Sequence, residues 1–94
     1  MWRIEEHRRI SKQLHSAPLE IQKRYEKWQD IAAISGPPGL RVIRGFYDEA
    51  LSGTWSGHRS SRLNIQYRVI YRVVAERQLF QMVRAAASPY PASI

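Results

Sequence analysis

The stretch from Gln66 to Val74 (QYRVIYRVV) constrains this chain more than any other. Tyr67, Val69, Tyr71 and Val73 alternate with Arg68, Ile70, Arg72 and Val74. Side chains in an extended chain point to opposite faces in turn, so this pattern is a β-strand of aromatic and β-branched residues with arginines on one side. A single strand is not stable in water and needs partners on both flanks. Two candidates flank it. His58–Leu63 precedes it across a turn at Asn64-Ile65, and Leu79–Arg84 follows a turn at Ala75-Glu76. The reading is an antiparallel meander in the C-terminal half. A further strand is expected at Leu40–Arg44, with a loop from Gly45 to Gly57.

The apolar face of that meander needs a cover, and the N-terminal half supplies one. Trp2 and Ile4 alternate with Arg3 and Glu5, a short strand signal. In Glu6–Leu14, Ile10 and Leu14 stand four apart, as on one helix face. Ser16-Ala17-Pro18 reads as a stop and restart, since proline is tolerated in the first helical turn. Ile21, Tyr25, Trp28 and Ala32 then form one apolar stripe at helical spacing, and Ser35-Gly36-Pro37-Pro38-Gly39 is expected to end that helix. The fold class is therefore α+β: an N-terminal helical hairpin packed on a twisted, mostly antiparallel sheet. The chain has 94 residues, enough for one core. Residues 1–84 are assigned to the domain, and residues 85–94, with their alanines and prolines, to a loosely docked tail.

Several classes of function drop out. There are no cysteines, so disulfides and thiolate-bound zinc are excluded. His7, His15 and His58 are scattered, and no metal or other cofactor is expected. No phosphate loop, zinc-protease motif or nucleophile elbow is present. No apolar run approaches the ~20 residues of a membrane span, and the N-terminus has no apolar signal core. A cytoplasmic protein with no membrane partner is expected.

Charge is unevenly placed. The net charge is +7, of which residues 40–94 carry eight basic residues against three acids. All eight are arginines: Arg41, Arg44, Arg59, Arg62, Arg68, Arg72, Arg77 and Arg84. No acid lies between Glu49 and Glu76. Arginine is suited to planar, bidentate phosphate recognition. A stretch of this kind beside Trp55, His58, Tyr67 and Tyr71 points to RNA, because aromatic faces stack on unpaired bases. The plainer readings are a solvated sheet face or a surface for an acidic protein. Arg59 and Arg62 are an odd number apart, so a regular strand turns them to opposite faces unless a bulge intervenes near Ser60-Ser61.

Metal-free RNA cleavage requires a base for the 2′-hydroxyl, cations for the charge gathering on phosphorus, and an acid for the 5′-oxygen. Glu49 at the head of the arginine stretch has the chemistry of the base, and Arg68 that of the charge stabiliser. Equally, Asp48 and Glu49 are able to pair with nearby arginines in a purely structural role.

An ordered set of segments carries a family resemblance. These are Asp48-Glu49-Ala50-Leu51-Ser52-Gly53, then Trp55-Ser56-Gly57-His58-Arg59-Ser60-Ser61-Arg62-Leu63-Asn64, then Gln66-Tyr67-Arg68-Val69-Ile70-Tyr71-Arg72-Val73. Together they resemble the RelE/ParE superfamily of toxins from type II toxin–antitoxin systems, most of all the RelE, YoeB and HigB branches. The resemblance covers roughly residues 2–84. It implies a helical hairpin on a twisted sheet and a ribosome-dependent mRNA endonuclease that blocks translation until a cognate antitoxin neutralises it. The implied partners are that antitoxin, the ribosome with its RNA, and mRNA. By position, Glu49 matches the proposed base, Arg62 the arginine of the S-x-R-[LIV]-N strand, and Arg68 the arginine that holds the scissile phosphate. Arg59 and Arg72 are the implied RNA-backbone contacts, and Arg84, His58 and Trp55 are further candidate RNA contacts. The family's C-terminal histidine has no counterpart. If Ser88-Pro89 matches the family's T-P, Tyr90 stands at that position, and a phenol with an ordinary pKa of about 10 is a proton donor rather than a base at neutral pH; if the register follows the strand without a gap, alanines stand there. That departure leaves two alternatives beside the nuclease: a catalytically degenerate homologue, and a ParE-like toxin acting through protein contacts.

Overall fold

Trp28 is the residue on which the helices and the sheet meet, and its surroundings explain the architecture. Its indole is fully buried and lies 5.3 Å from the Tyr71 ring and 5.6 Å from the Phe80 ring, both edge-on, with Tyr25 stacked at 5.8 Å. Edge-to-face and offset contacts of this kind add to the hydrophobic gain of burying large rings.

The computed structural model describes residues 1–87. The chain runs β1 (Arg3–Glu5), α1 (Arg8–His15), α2 (Leu19–Val42), β2 (Glu49–Ala50), β3 (Arg59–Arg62), β4 (Tyr67–Val74) and β5 (Leu79–Ala87). The sheet order is β1-β5-β4-β3-β2, so the strand read first from the sequence takes the centre. β2, β3, β4 and β5 are antiparallel neighbours, and β1 lies parallel to β5 at one edge. Ile10 and Leu14 of α1 and Ile21, Tyr25, Trp28 and Ala32 of α2 are buried. They form one core with Leu63, Val69, Tyr71, Phe80, Met82 and Ala85 of the sheet. The α+β hairpin-on-sheet arrangement expected from periodicity is present. No helix among the described residues is long and apolar enough to cross a membrane.

Three local expectations are corrected. Leu40–Val42 is helical, not a strand, because α2 resumes after a break at Gly36 (φ 68°, ψ −165°). Pro37 and Pro38 open the resumed segment, where a missing N–H is harmless, and Leu40 is buried in the core. The Gly45–Gly57 loop contains the short strand β2. Residues 85–87, expected in a loosely docked tail, extend a strand. β5 continues through Ala87, which pairs with Tyr67, and Ala85 is buried. Ala85 joins Ile10 and Leu14 of α1 in the core, while Ala87 is exposed. The rest of the assigned tail lies outside the described residues.

Gly36 is required at its position twice over. Its φ is in the left-handed region, and a methyl group there would lie 2.6 Å from Trp2 Nε1. Gly53 also has a positive φ (65°), but with open space around it. Gly36→Ala is therefore expected to lower the urea midpoint by about 1–3 kcal/mol equivalent, and more than Gly53→Ala. Equal effects would show that the Trp2 contact carries no weight.

Candidate nucleic-acid interface

The site begins with alternation in the segment entering β2. Phe46 is buried beneath the guanidinium of Arg24, 4.5 Å from its ring centre. Tyr47, left-handed at φ 45° and ψ 48°, turns the chain and exposes its ring. Asp48 then points in and Glu49 out. The Asp48 side chain is 0% exposed and that of Glu49 is 42% exposed. A buried carboxylate must be paired and hydrogen-bonded, and Asp48 is. Arg59 donates to Asp48 Oδ1 from Nε at 2.8 Å and approaches it with Nη2 at 2.7 Å. Ser61 Oγ donates to Asp48 Oδ2 at 2.7 Å, and the Tyr71 hydroxyl donates to the same oxygen.

Strand register sorts the remaining groups. In an antiparallel ladder, directly opposed residues share a face. Arg59 opposes Tyr71 and Ser61 opposes Val69, so both belong with the helix-facing side. Ser60 opposes Ile70 and Glu49, and Arg62 opposes Arg68, on the other face. Among the described residues the two α-helices pack on the opposite face, against Leu63, Val69 and Tyr71. Arg68 Nη1 donates to Ser60 Oγ at 2.8 Å and lies 3.8 Å from Glu49 Oε1. Like charges directly opposed across a ladder repel, yet among the described residues no carboxylate pairs with Arg62. Its guanidinium instead lies over the Tyr47 ring, 4.4 Å from the centroid. Two cations on opposed residues of one face, one of them loosely engaged with a carboxylate, are suited to bind an anion and to stabilise charge that grows on it.

Other residues singled out from the sequence lie on the same face. Ile70 and Leu51 form a small apolar cluster against which Trp55 and Val83 pack. Trp55 meets His58 edge-on with ring centres 5.5 Å apart. Arg84 opposes Ile70 across a bulge that leaves Val83 outside the ladder, and Arg72 opposes Gln81. Both arginines are exposed. His58 and Arg72 line one cleft together with Glu5, Gln81 and Val83.

Arg59 departs from the expected set. The odd spacing does send it to the face opposite Arg62, with no bulge at Ser60-Ser61, and its charge is spent on Asp48. Its guanidinium is therefore a strut beneath the site rather than a group open to phosphate. Tyr90 lies outside the described residues. Sequence reasoning passed over Ser60 and Tyr47. The same two-residue period that links Arg62 to Arg68 puts Ser60 on that face, so Ser60 was open to detection. Nothing in the local sequence pairs Tyr47 with Arg62.

The buried network shifts its own protonation equilibria. Burial raises the Tyr71 pKa well above its ordinary value, helped by the charge and hydrogen bond of Asp48 and opposed in part by Arg59. Arg59 is also raised, because the Asp48 hydrogen bond and charge outweigh a burial effect that by itself lowers it. Tyr25, buried and donating to Glu6 Oε2 at 2.6 Å, is raised by burial first and Glu6 second.

No family model and no curated protein matches the sequence. Solved structures do match the fold. The chain superposes on the archaeal RelE–RelB complex from Pyrococcus horikoshii OT3 with a TM-score of 0.72 and 25% identity, covering 92% of this chain and 93% of that one. For YafQ from E. coli strain BL21(DE3) the TM-score is 0.74 at 17% identity, with 94% of each chain covered. For the YoeB–YefM complex from Staphylococcus aureus it is 0.72 at 16% identity, covering 96% of this chain and 99% of that one. What these proteins share with this chain is the whole described architecture, helices and sheet together.

The raised tyrosines generate a pH test. A group held more tightly protonated in the folded state stabilises the fold fully below its unfolded pKa and loses that contribution as pH rises through the folded value. The urea midpoint is expected to be level from about pH 7 to 9 and to fall above about pH 10, where unfolded tyrosine ionises. Tyr71→Phe is expected to lessen the fall. A midpoint that stays level to about pH 11.5 would contradict a buried, Asp48-bound phenol.

Proposed function

We propose that this chain, which has the fold of the RelE/YoeB toxin superfamily, is the toxin of a toxin–antitoxin pair and cuts mRNA held in the ribosome. The observation that carries the reading is Glu49 beside Arg68, with Arg62 opposed to Arg68 across the ladder, on the face away from the α-helices of the described residues. A carboxylate loosely paired with one guanidinium, near a second that no described carboxylate pairs with, matches the needs of RNA transesterification. Support for the partner comes from relatives of this fold solved with their antitoxins, as RelE–RelB and YoeB–YefM complexes.

In the proposed reaction Glu49 takes the proton of a ribose 2′-hydroxyl. The freed 2′-oxygen attacks the adjacent phosphorus, and the bond to the 5′-oxygen breaks. The products are a 2′,3′-cyclic phosphate and a 5′-hydroxyl end. Arg68 and Arg62 hold the non-bridging oxygens, where charge accumulates in the transition state. Ser60 fixes the Arg68 guanidinium. Tyr90 is the proposed proton donor to the 5′-oxygen, from its match to the family's C-terminal position. Arg72 and Arg84 contact the RNA backbone of mRNA or ribosome, and Trp55 with His58 offers a stacking surface for an unpaired base. A cognate antitoxin covers this arginine face and silences the toxin in the cytoplasm, where ribosomes are.

Primer extension on mRNA in a purified translation system tests the reading. Cleavage at ribosome-occupied positions is expected, falling on the order of 10²-fold in Arg68→Ala and in Glu49→Gln. Ribosome binding is expected to weaken steeply with salt. Growth arrest that survives Glu49→Gln without any cleavage would instead favour a toxin acting by protein contacts. Well-folded, ribosome-bound protein that cuts nothing would favour a degenerate homologue.

A further inference from the structure

β2 has only two residues, paired at Glu49↔Ser60 and Ala50↔Arg59 at the sheet edge. A ladder that short does not by itself fix the direction of a side chain. What precedes and follows it is a 3₁₀ turn on either side, at Arg44–Phe46 and Gly53–Trp55. The constraint on Glu49 must come from elsewhere in its own segment.

Asp48 supplies it. Oδ1 takes both contacts from Arg59, and Oδ2 takes the hydroxyls of Ser61 and Tyr71. Each carboxylate oxygen therefore meets two donors, which leaves the group no freedom to rotate. Its donors come from β3 and β4, the strands that carry Arg62 and Arg68. With Asp48 locked beneath the sheet, backbone alternation sends Glu49 to the upper face. There, among the described residues, its one ion pair is the 3.8 Å approach to Arg68. The carboxylate is held in direction but little engaged, as a proton acceptor must be.

Tyr47 does the corresponding work for Arg62. A tyrosine in the left-handed region is strained, and such strain persists only where the surroundings enforce it. Burial does not explain this ring, which belongs to a residue 60% exposed. The ring instead backs the Arg62 guanidinium at 4.4 Å. The Arg62 Nε is buried and has no hydrogen-bond partner among the described residues. An aromatic face attracts a cation without neutralising it. A carboxylate in place of Tyr47 would orient Arg62 equally well and cancel the charge that phosphate needs.

We propose that Tyr47 and Asp48 are positioning residues for the cleavage site. Asp48, anchored under the sheet, aims Glu49, and the Tyr47 ring aims Arg62. The inference rests on the nuclease reading for its consequence in rate, but its geometry is testable separately.

The experiment pairs single-turnover cleavage on programmed ribosomes with side-chain NMR of the same purified proteins. Asp48→Asn is expected to slow cleavage at saturating ribosomes by roughly 10–100-fold, with ribosome affinity changed less than about threefold, since the phosphate-binding arginines remain. Tyr71→Phe, which removes one donor and keeps the ring, covers the case in which Asp48→Asn does not fold. It should slow cleavage less, in the same direction. Tyr47→Ala is expected to slow cleavage about tenfold, and Tyr47→Phe to restore most of the rate because the ring is kept.

In the NMR arm, the Arg62 Nε–H resonance should carry a ring shift in the native protein and in Tyr47→Phe that disappears in Tyr47→Ala. Cross-peaks between Glu49 and Ser60 should weaken in Asp48→Asn, or in Tyr71→Phe if that is the folded variant. Native rates in folded Asp48→Asn, or equal losses in Tyr47→Phe and Tyr47→Ala, would overturn the proposal. So would unchanged NMR signals in these variants. A native protein that cuts nothing while the NMR signals move as expected would overturn the nuclease reading and leave the positioning intact.

Discussion

Tyr71 joins the two halves of this molecule's logic. Its ring lies in the core against Trp28 and Phe80, where the helical layer meets the sheet. Its hydroxyl reaches out of that core to Asp48. A phenol suits this double duty because it has a large apolar body and one polar tip. The helix stripe of Tyr25, Trp28 and Ala32 thereby reaches the segment that presents Glu49 through one side chain. Loss of packing beneath the sheet would be felt at the site above it.

The sheet divides its charges by face. Below, Asp48 and Arg59 form a pair whose desolvation is offset by two neutral hydroxyl donors, an arrangement in which removal of either partner is costly. Above, Arg62 and Arg68 stand opposed and excess positive charge is left in place. A stability-optimised ladder would not place two arginines directly across from each other. The cost falls where an anion can relieve it, and local conflicts of this sort are expected at functional positions.

Much of this was legible from residues alone. The period-two run at Tyr67–Val74 marked the central strand, and the stripe through Trp28 marked the helix that covers it. The odd spacing of Arg59 and Arg62 correctly put them on opposite faces. Errors clustered where one local signal has two meanings. Pro37-Pro38 was read as ending a helix when it opens the next segment, because proline disfavours helix interiors but suits the first turn. Ala85–Ala87 read as tail, since alanine has little strand propensity, yet pairing with β4 and packing by α1 hold it in the sheet.

The sequence by itself determined the class of fold, the arginine face and the candidate pair of Glu49 with Arg68, because periodicity and charge are properties of neighbouring residues. It left open whether Glu49 is reactive or, like Asp48, pairs with a nearby arginine in a purely structural role. Only the tertiary structure gave the two neighbouring carboxylates different surroundings. It brought Arg59, Ser61 and Tyr71 around one carboxylate and left the other facing a cation pair. Adjacent residues in a strand point to opposite sides, and which side is buried depends on distant segments that no local pattern encodes.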